Sequence, residues 1–325
     1  MKPRLSLKNS FKATILMAQF LSMPQAYGEI TPTDIRIKST SDYKVIYGAD
    51  DRRDVNEYAD RLFREKAKSV AGMVSRNKLV EDFFNPEFYN FFKKTASREY
   101  GLCEDEKYAD QVILPVCTGF LIDERHLVTA GHCFRSEADC ENFAWVFDYN
   151  NDTKKIAKDN VYGCQQIMAR ELKETYLTLK DYMVIKLDRD VLDREPLEFR
   201  VKGRPNYGEE MVVIGHPLGL PKKIADGAEV KLGNITEDHA PFSTLIKKRD
   251  FFMANLDTFM GNSGSPVFNK ETGLVEGILI EGAEDLEDDL DNLCTRSVRK
   301  KDSTFVTDEK VFRINRIPFL KELSK

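Results

Sequence analysis

Gly261-Asn262-Ser263-Gly264-Ser265-Pro266-Val267 sets a serine among glycines just ahead of an apolar run. Glycines cost chain entropy that a plain strand or helix would not need, so their use here is a sharp turn. Such a turn pushes the Ser263 hydroxyl outward and leaves the N–H groups of Gly261 and Ser263 converging on one point, the arrangement of an oxyanion hole.

A serine hydroxyl is a weak nucleophile at neutral pH unless a base takes its proton, and that base needs a partner to hold its tautomer. The stretch therefore predicts a histidine and a carboxylate elsewhere. Of four histidines, one ends the β-branched run Leu127-Val128-Thr129-Ala130-Gly131-His132-Cys133. A carboxylate heads the strand-like run Asp181-Tyr182-Met183-Val184-Ile185-Lys186-Leu187. The order along the chain is His132, Asp181, Ser263.

These three stretches together resemble the chymotrypsin-like (trypsin-fold) serine peptidases. GNSGSPV and the upstream Val45-Ile46-Tyr47-Gly48-Ala49-Asp50-Asp51-Arg52 look most like the glutamyl-endopeptidase branch of that family. The likeness runs over about residues 45–325 in three separate motifs, which makes it more specific than a single pattern. It implies an all-β fold of two antiparallel six-stranded barrels with the cleft between them. It carries His132, Asp181 and Ser263 into the roles of base, orienting acid and nucleophile, with Gly261 and Ser263 as oxyanion donors.

Composition limits the alternatives. The 325 residues, 42% hydrophobic, are enough for two modest domains. A net charge of −5, spread rather than blocky, argues against a nucleic-acid partner. No apolar run is long enough for a stable membrane span. Lys2, Arg4, Lys8 and Lys12 precede the apolar stretch 13–23, followed by Pro24, Ala26 and Gly28, the pattern of a secretory signal. We therefore expect a signal peptide over 1–28, a propeptide over 29–44, an N-terminal barrel over 45–200, a C-terminal barrel over 201–325, and a secreted or periplasmic location. In an exported chain, six cysteines suggest disulfides. The hairpin formed by Cys117–Ile122 and 126–130 brings Cys117 close to Cys133, and the resemblance places a disulfide there. Cys140 and Cys164 could pair around the strand near 143–149, leaving Cys103 and Cys294 for each other or free.

Apolar runs at 69–74, 111–122, 126–130, 143–149, 161–169 and 182–187 read as strands of the first barrel. After a Pro- and Gly-containing linker over 193–209 come runs at 211–215, 226–233, 251–255, 265–268, 274–280 and 304–307. Residues 55–68 have helical spacing. The aromatic-rich 80–94 reads as a short helical insertion packed on the first barrel, with an exposed binding patch as the alternative. Residues 309–323 read as a C-terminal helix.

Among competing residues, Ser265 precedes Pro266 and is expected to serve the backbone. His216, in Gly215-His216-Pro217, is expected to be structural. His126 and His239 have no neighbours with metal-ligand spacing, and no metal, flavin or nucleotide motif is present, so neither cofactor nor metal is expected. The acidic run Glu281–Asp291 lacks EF-hand spacing and reads as a solvated loop that follows a substrate-pairing strand ending at Gly282.

Specificity is argued from the resemblance. The residue before Ser263 is Asn262, uncharged, which removes the aspartate that pairs with a freed amine in trypsin-type relatives. Leu279 stands where glutamyl-specific relatives carry a histidine. Asp257 stands where trypsin-like enzymes receive Lys or Arg at P1, with burial against the backbone N–H groups of Asp257-Thr258-Phe259, or neutralisation by the Val45 amine, as the equal alternative. The expectation is cleavage after Lys44 to free Val45, then basic P1 preference. The rival functional class is a catalytically silent trypsin-fold protein used for binding or toxicity. Otherwise the partner is a protein or peptide substrate.

Overall fold

The computed structural model describes residues 46–174, 179–232, 249–282, 285–300 and 309–323. The expected signal segment, propeptide and Lys44–Val45 junction lie outside these residues, as do His239 and the strand expected at 304–307.

Six strands close the first barrel: β1 (Val70–Ser75), β2 (Cys117–Leu121), β3 (His126–Thr129), β4 (Phe143–Val146), β5 (Val161–Glu174) and β6 (Leu179–Leu187). Their hydrogen-bonded order is β5-β6-β3-β2-β1-β4, closing on itself. The second barrel uses β7 (Glu210–Gly215), β8 (Lys223–Leu232), β9 (Phe251–Ala254), β10 (Pro266–Asn269), β11 (Val275–Glu281) and β12 (Glu309–Arg313). Its order is β7-β10-β11-β12-β9-β8, with β8 pairing back to β7. Two closed antiparallel barrels are what the family resemblance implied, and the short apolar runs fall into them. Closure removes the edges that open sheets must protect.

Period-two alternation decides which side chains fill which core. In β12, Val311 enters the second barrel with Leu279 and Val267, while Phe312 turns to the core shared with the first barrel. There the Phe312 ring stacks on Tyr182 of β6 at 5.3 Å, next in sequence to Asp181. The barrel junction is thus packed directly behind the expected site.

Two expectations are corrected. The helical insertion over 80–94 is instead a hairpin, Leu79–Glu81 paired with Phe88–Phe91, which in turn pairs with Ile156–Ala157. The physical reasons are local. Asp82 accepts N–H bonds from Phe84 and Asn85 and so builds a turn, and Pro86 has no N–H to give a helix. Alternation then buries Phe91 on Val74 and Tyr149, whereas Phe83 and Phe84 project at 91% and 92% exposure. The C-terminal helix is shorter than expected: Glu309–Arg313 is the strand that closes the second barrel, and only Pro318–Leu323 is α-helical. The helical spacing within 55–68 appears as Arg61–Ala67, capped by Asp60 accepting from Leu62 N.

Three disulfides are present: Cys117–Cys133, Cys140–Cys164 and Cys103–Cys294. The first, expected from the β2–β3 hairpin, joins the start of β2 to the 3-10 turn Gly131–Cys133 over a sequence separation of 16. Replacing both cysteines with serine is expected to lower stability by about 3 kcal/mol in the chain-entropy picture. Urea titration of the unreduced proteins measures this, and equal midpoints would show that the bridge contributes nothing.

Candidate active site

The site begins with strand register. Met183 of β6 pairs with Thr129 of β3, and two residues earlier Asp181 pairs with Leu172 of β5. Both Asp181 and the chain leaving Thr129 therefore emerge at the same end of the barrel. The turn Gly131–Cys133 brings the two together: Asp181 Oδ1 accepts from the His132 backbone N–H at 3.0 Å, and Oδ2 lies 2.5 Å from Nδ1. Asp181 is 6% exposed, and the His132 side chain is partly open to solvent. A carboxylate that holds both the backbone and the ring of one histidine fixes that ring's rotamer. It leaves Nε2 on the outer side.

Ser263 comes from the other barrel. Gly261 and Gly264 both have φ of +89°, in the left-handed region that favours glycine. A Cβ on Gly264 would collide with the Thr118 carbonyl and Thr129 hydroxyl, and one on Gly261 with the His216 carbonyl. The loop is tied across the barrels by Thr118, whose N–H donates to Ser263 O at 2.8 Å and whose hydroxyl donates to Gly261 O at 2.8 Å. Within the loop, Asn262 N–H donates to Phe259 O and Gly264 N–H to Leu279 O. His132 and Ser263 open into one cleft of about 470 Å³, together with Gly261 and Met260.

The competing residues fall away from this cleft. Ser265 is fully buried, and its hydroxyl donates to Asn262 Oδ1 at 3.3 Å, a side-chain partner rather than the expected backbone one. His216 is fully buried with Nδ1 against Leu220 O at 2.9 Å. Burial, with Lys222 nearby, pushes its pKa down to about 3, so it stays neutral. His126 pairs with Asp123 at 2.8 Å at the start of β3. Two groups of metal-type ligands occur among the described residues, Cys117–His132–Cys133 and Cys103–Asp289–Cys294. Their cysteines are committed to disulfides, which leaves too few donors for an ion.

The specificity residues require correction. Asp257 is 4% exposed, with Oδ1 accepting from Tyr47 N–H at 2.7 Å and Oδ2 from Asp51 N–H at 2.8 Å. It binds the N-terminal strap, so its carboxylate is not presented to a basic P1 side chain. Leu279 is fully buried in the second barrel core, because alternation along β11 turns it inward. Gly282 follows the end of β11 and is partly exposed, outside the cleft lining. The acidic run is not a loose loop: Leu286–Asp289 pairs with Cys294–Ser297.

Sequence reasoning missed several supports. Arg170, on β5, donates to Gly131 O at 2.9 Å and also to Phe134 O, clamping the turn that carries His132. Asp285, 4% exposed, accepts from Met260 N–H at 2.8 Å and so braces the residue before Gly261. Neither has a local sequence signal, since each acts on a partner distant in the chain.

Residues 117–278 match the family model described as the trypsin-like peptidase domain. With the two closed barrels, this defines a trypsin-like serine protease fold for the chain. Solved structures with related folds include the VesB protease of Vibrio cholerae, at 14% identity, covering 87% of this chain and 68% of that one, with a TM-score of 0.49. The active form of the Rv3671c protease of M. tuberculosis aligns at 15% identity over 79% of this chain and 81% of its own, TM-score 0.41. Neuropsin from mouse brain aligns at 15% identity over 65% and 90%, TM-score 0.43. Comparison with curated protein sequences gives no match.

Burial raises the Asp257 pKa from 3.8 to about 7, against the opposing pull of its two N–H donors. Between those values the folded protein binds the proton and the unfolded chain does not. Stability from this group is therefore lost as pH rises from about 4 to about 7. Asp257→Asn removes the titration. The melting temperature of the wild type, relative to Asp257→Asn, is expected to fall across that window and level off above it. Thermal melts at a series of pH values check this, and a constant difference would contradict it.

Proposed function

We propose that this chain is a secreted serine endopeptidase that cleaves peptide bonds through an acyl-enzyme. The observation that carries the reading is the His132–Asp181 pair opening into the same cleft as Ser263. With Nδ1–H held by Asp181, Nε2 is the nitrogen available to take the Ser263 proton. The Ser263 Oγ then attacks the scissile carbonyl carbon, and the oxygen of the resulting tetrahedral adduct is held by the Gly261 and Ser263 N–H groups. Collapse breaks the C–N bond, and the Nε2 proton passes to the leaving amine. Water, activated by the same imidazole, repeats the sequence to release the acid and restore Ser263.

Export and processing complete the reading. The basic, then apolar, N-terminus supports a signal peptide, and the polar stretch up to Lys44 supports a propeptide removed before Val45. Preference for Lys or Arg at P1 is not carried forward, because Asp257 is committed to Tyr47 and Asp51.

Ser263→Ala and His132→Ala are each expected to lower kcat on the order of 10⁶-fold, and Asp181→Ala by less, since the three act as one unit. A scan of peptide thioesters and anilides with Lys, Arg, Glu, Phe and Ala at P1 measures this and selects the best acyl donor. Fluorophosphonate labelling should reach Ser263 in the processed protein and fail in Ser263→Ala. Unchanged turnover in Ser263→Ala would overturn the assignment.

A further inference from the structure

Where the linker between the barrels meets the end of the second barrel, arginines from separate parts of the chain come together. Arg204 belongs to the linker, Arg313 ends β12, and Arg316 ends the 3-10 turn Ile314–Arg316. Arg313 is 7% exposed. Its Nη1 donates to Arg249 O at 3.2 Å and its Nη2 to Gly203 O at 2.6 Å. Its buried Nε–H has no acceptor among the described residues. Asn315 donates to the same Gly203 carbonyl at 2.8 Å. The partners given to this buried guanidinium are therefore carbonyls, which carry no net charge.

The charges around it do not balance. Burial pushes the Arg313 pKa down to about 10, with Arg316 and Arg204 adding to the shift, and burial together with Arg316 also lowers that of Arg204. Asp250, ahead of β9, lies 3.4 Å from Arg316 Nε. Glu276 of β11 is taken by both Nε and Nη2 of Arg200. Glu209, which acts on that pair, is bonded by Asn206 and Asn269. Lys202, beside Gly203, is exposed and adds to the positive side. Among the described residues, positive charge is thus left in excess around Arg313. Like charges gathered in a fold are costly unless an anion joins them. The Arg316 side chain is 36% exposed, so the group is reachable from solvent.

We infer that Arg204, Arg313 and Arg316 form a binding site for a phosphate or sulfate group, apart from the cleft of His132 and Ser263. Guanidinium forks match the spacing of such oxygens, and a multiply charged oxyanion suits the excess of positive charge. The bound group clamps the linker to the last strand of the second barrel. The inference does not depend on the peptidase reading.

Equilibrium dialysis of the full chain against labelled inorganic phosphate or sulfate, at an ionic strength fixed with chloride, tests it. Saturable binding at one site is expected. Arg316→Gln should weaken it about tenfold, the scale of a lost charge-assisted hydrogen bond, and Arg204→Gln gives a second reading if that protein does not fold. Asp250→Asn removes the carboxylate that competes for Arg316 and should tighten binding roughly twofold to fivefold, a gain that misfolding cannot imitate. Competition by glycerol 3-phosphate as strong as by inorganic phosphate would identify a group carried on a larger molecule as a ligand. No competition by it, with inorganic phosphate bound, would identify the free ion. An absence of saturable binding, or binding that Arg204→Gln and Arg316→Gln both leave unchanged, would overturn the inference.

Discussion

Thr118 is the point at which the two barrels are held in register. Its N–H and hydroxyl both bond to the Ser263 loop, at the carbonyls of Ser263 and Gly261. Its carbonyl takes the Thr129 hydroxyl at 2.6 Å, and its hydroxyl oxygen accepts the His216 N–H at 3.1 Å. Thr129 lies three residues before His132, and His216 ends at the turn that Gly261 packs against. One buried residue thus links the strand leading to His132 to the loop that carries Ser263. Each bond is worth only about 1 kcal/mol net, but leaving any of these buried groups unpaired costs more. Geometry between barrels is therefore set by polar satisfaction, and the apolar contact of Tyr182 with Phe312 supplies bulk behind it.

What could be read in advance follows from how local each determinant is. The three motif stretches declare themselves because a turn, a strand end and a strand head each have nearby residue requirements. Apolar runs with turn residues between them favoured an all-β fold, and the family resemblance supplied the pair of barrels. The aromatic segment 80–94 misled because seven large apolar residues in a short span suit either period. The turn built by Asp82 and Pro86 decides for the hairpin. At the C-terminus, Val311 and Phe312 serve two different cores from adjacent positions, as the alternating faces of a strand do.

The specificity residues were not legible for a different reason. Asp257 bonds to Tyr47 across 210 positions. No pattern near Asp257 encodes such a partner. A carboxylate in a suggestive place carries no information about what already occupies it, and here the occupant is the chain's own backbone. Burial of Asp257 would be costly without donors, and the strap supplies two.

That strap grips the Ser263 loop at more than one point. Beyond the bonds of Tyr47 and Asp51 to Asp257, the Arg52 guanidinium lies over the Phe259 ring at 4.2 Å while its Nε bonds to Asp50 at 2.9 Å. Phe259 in turn accepts the Asn262 N–H, and Asn262 holds Ser265. The path from the strap to the residue beside Ser263 is therefore a continuous series of contacts. It needs no charge at position 262, where the neutral amide serves as a hydrogen-bond acceptor. Residues 46–52 thus contact the segment before Ser263 at Asp257 and Phe259, while Asp285 braces it at Met260. The loop that presents Ser263 is thus held by the first barrel through Thr118, by the N-terminal strap through Asp257 and Phe259, and by the Leu286–Ser297 hairpin through Asp285. Thr118 and Asp285 hold backbone groups of the loop, whereas the strap holds it through the Asp257 carboxylate and the Phe259 ring.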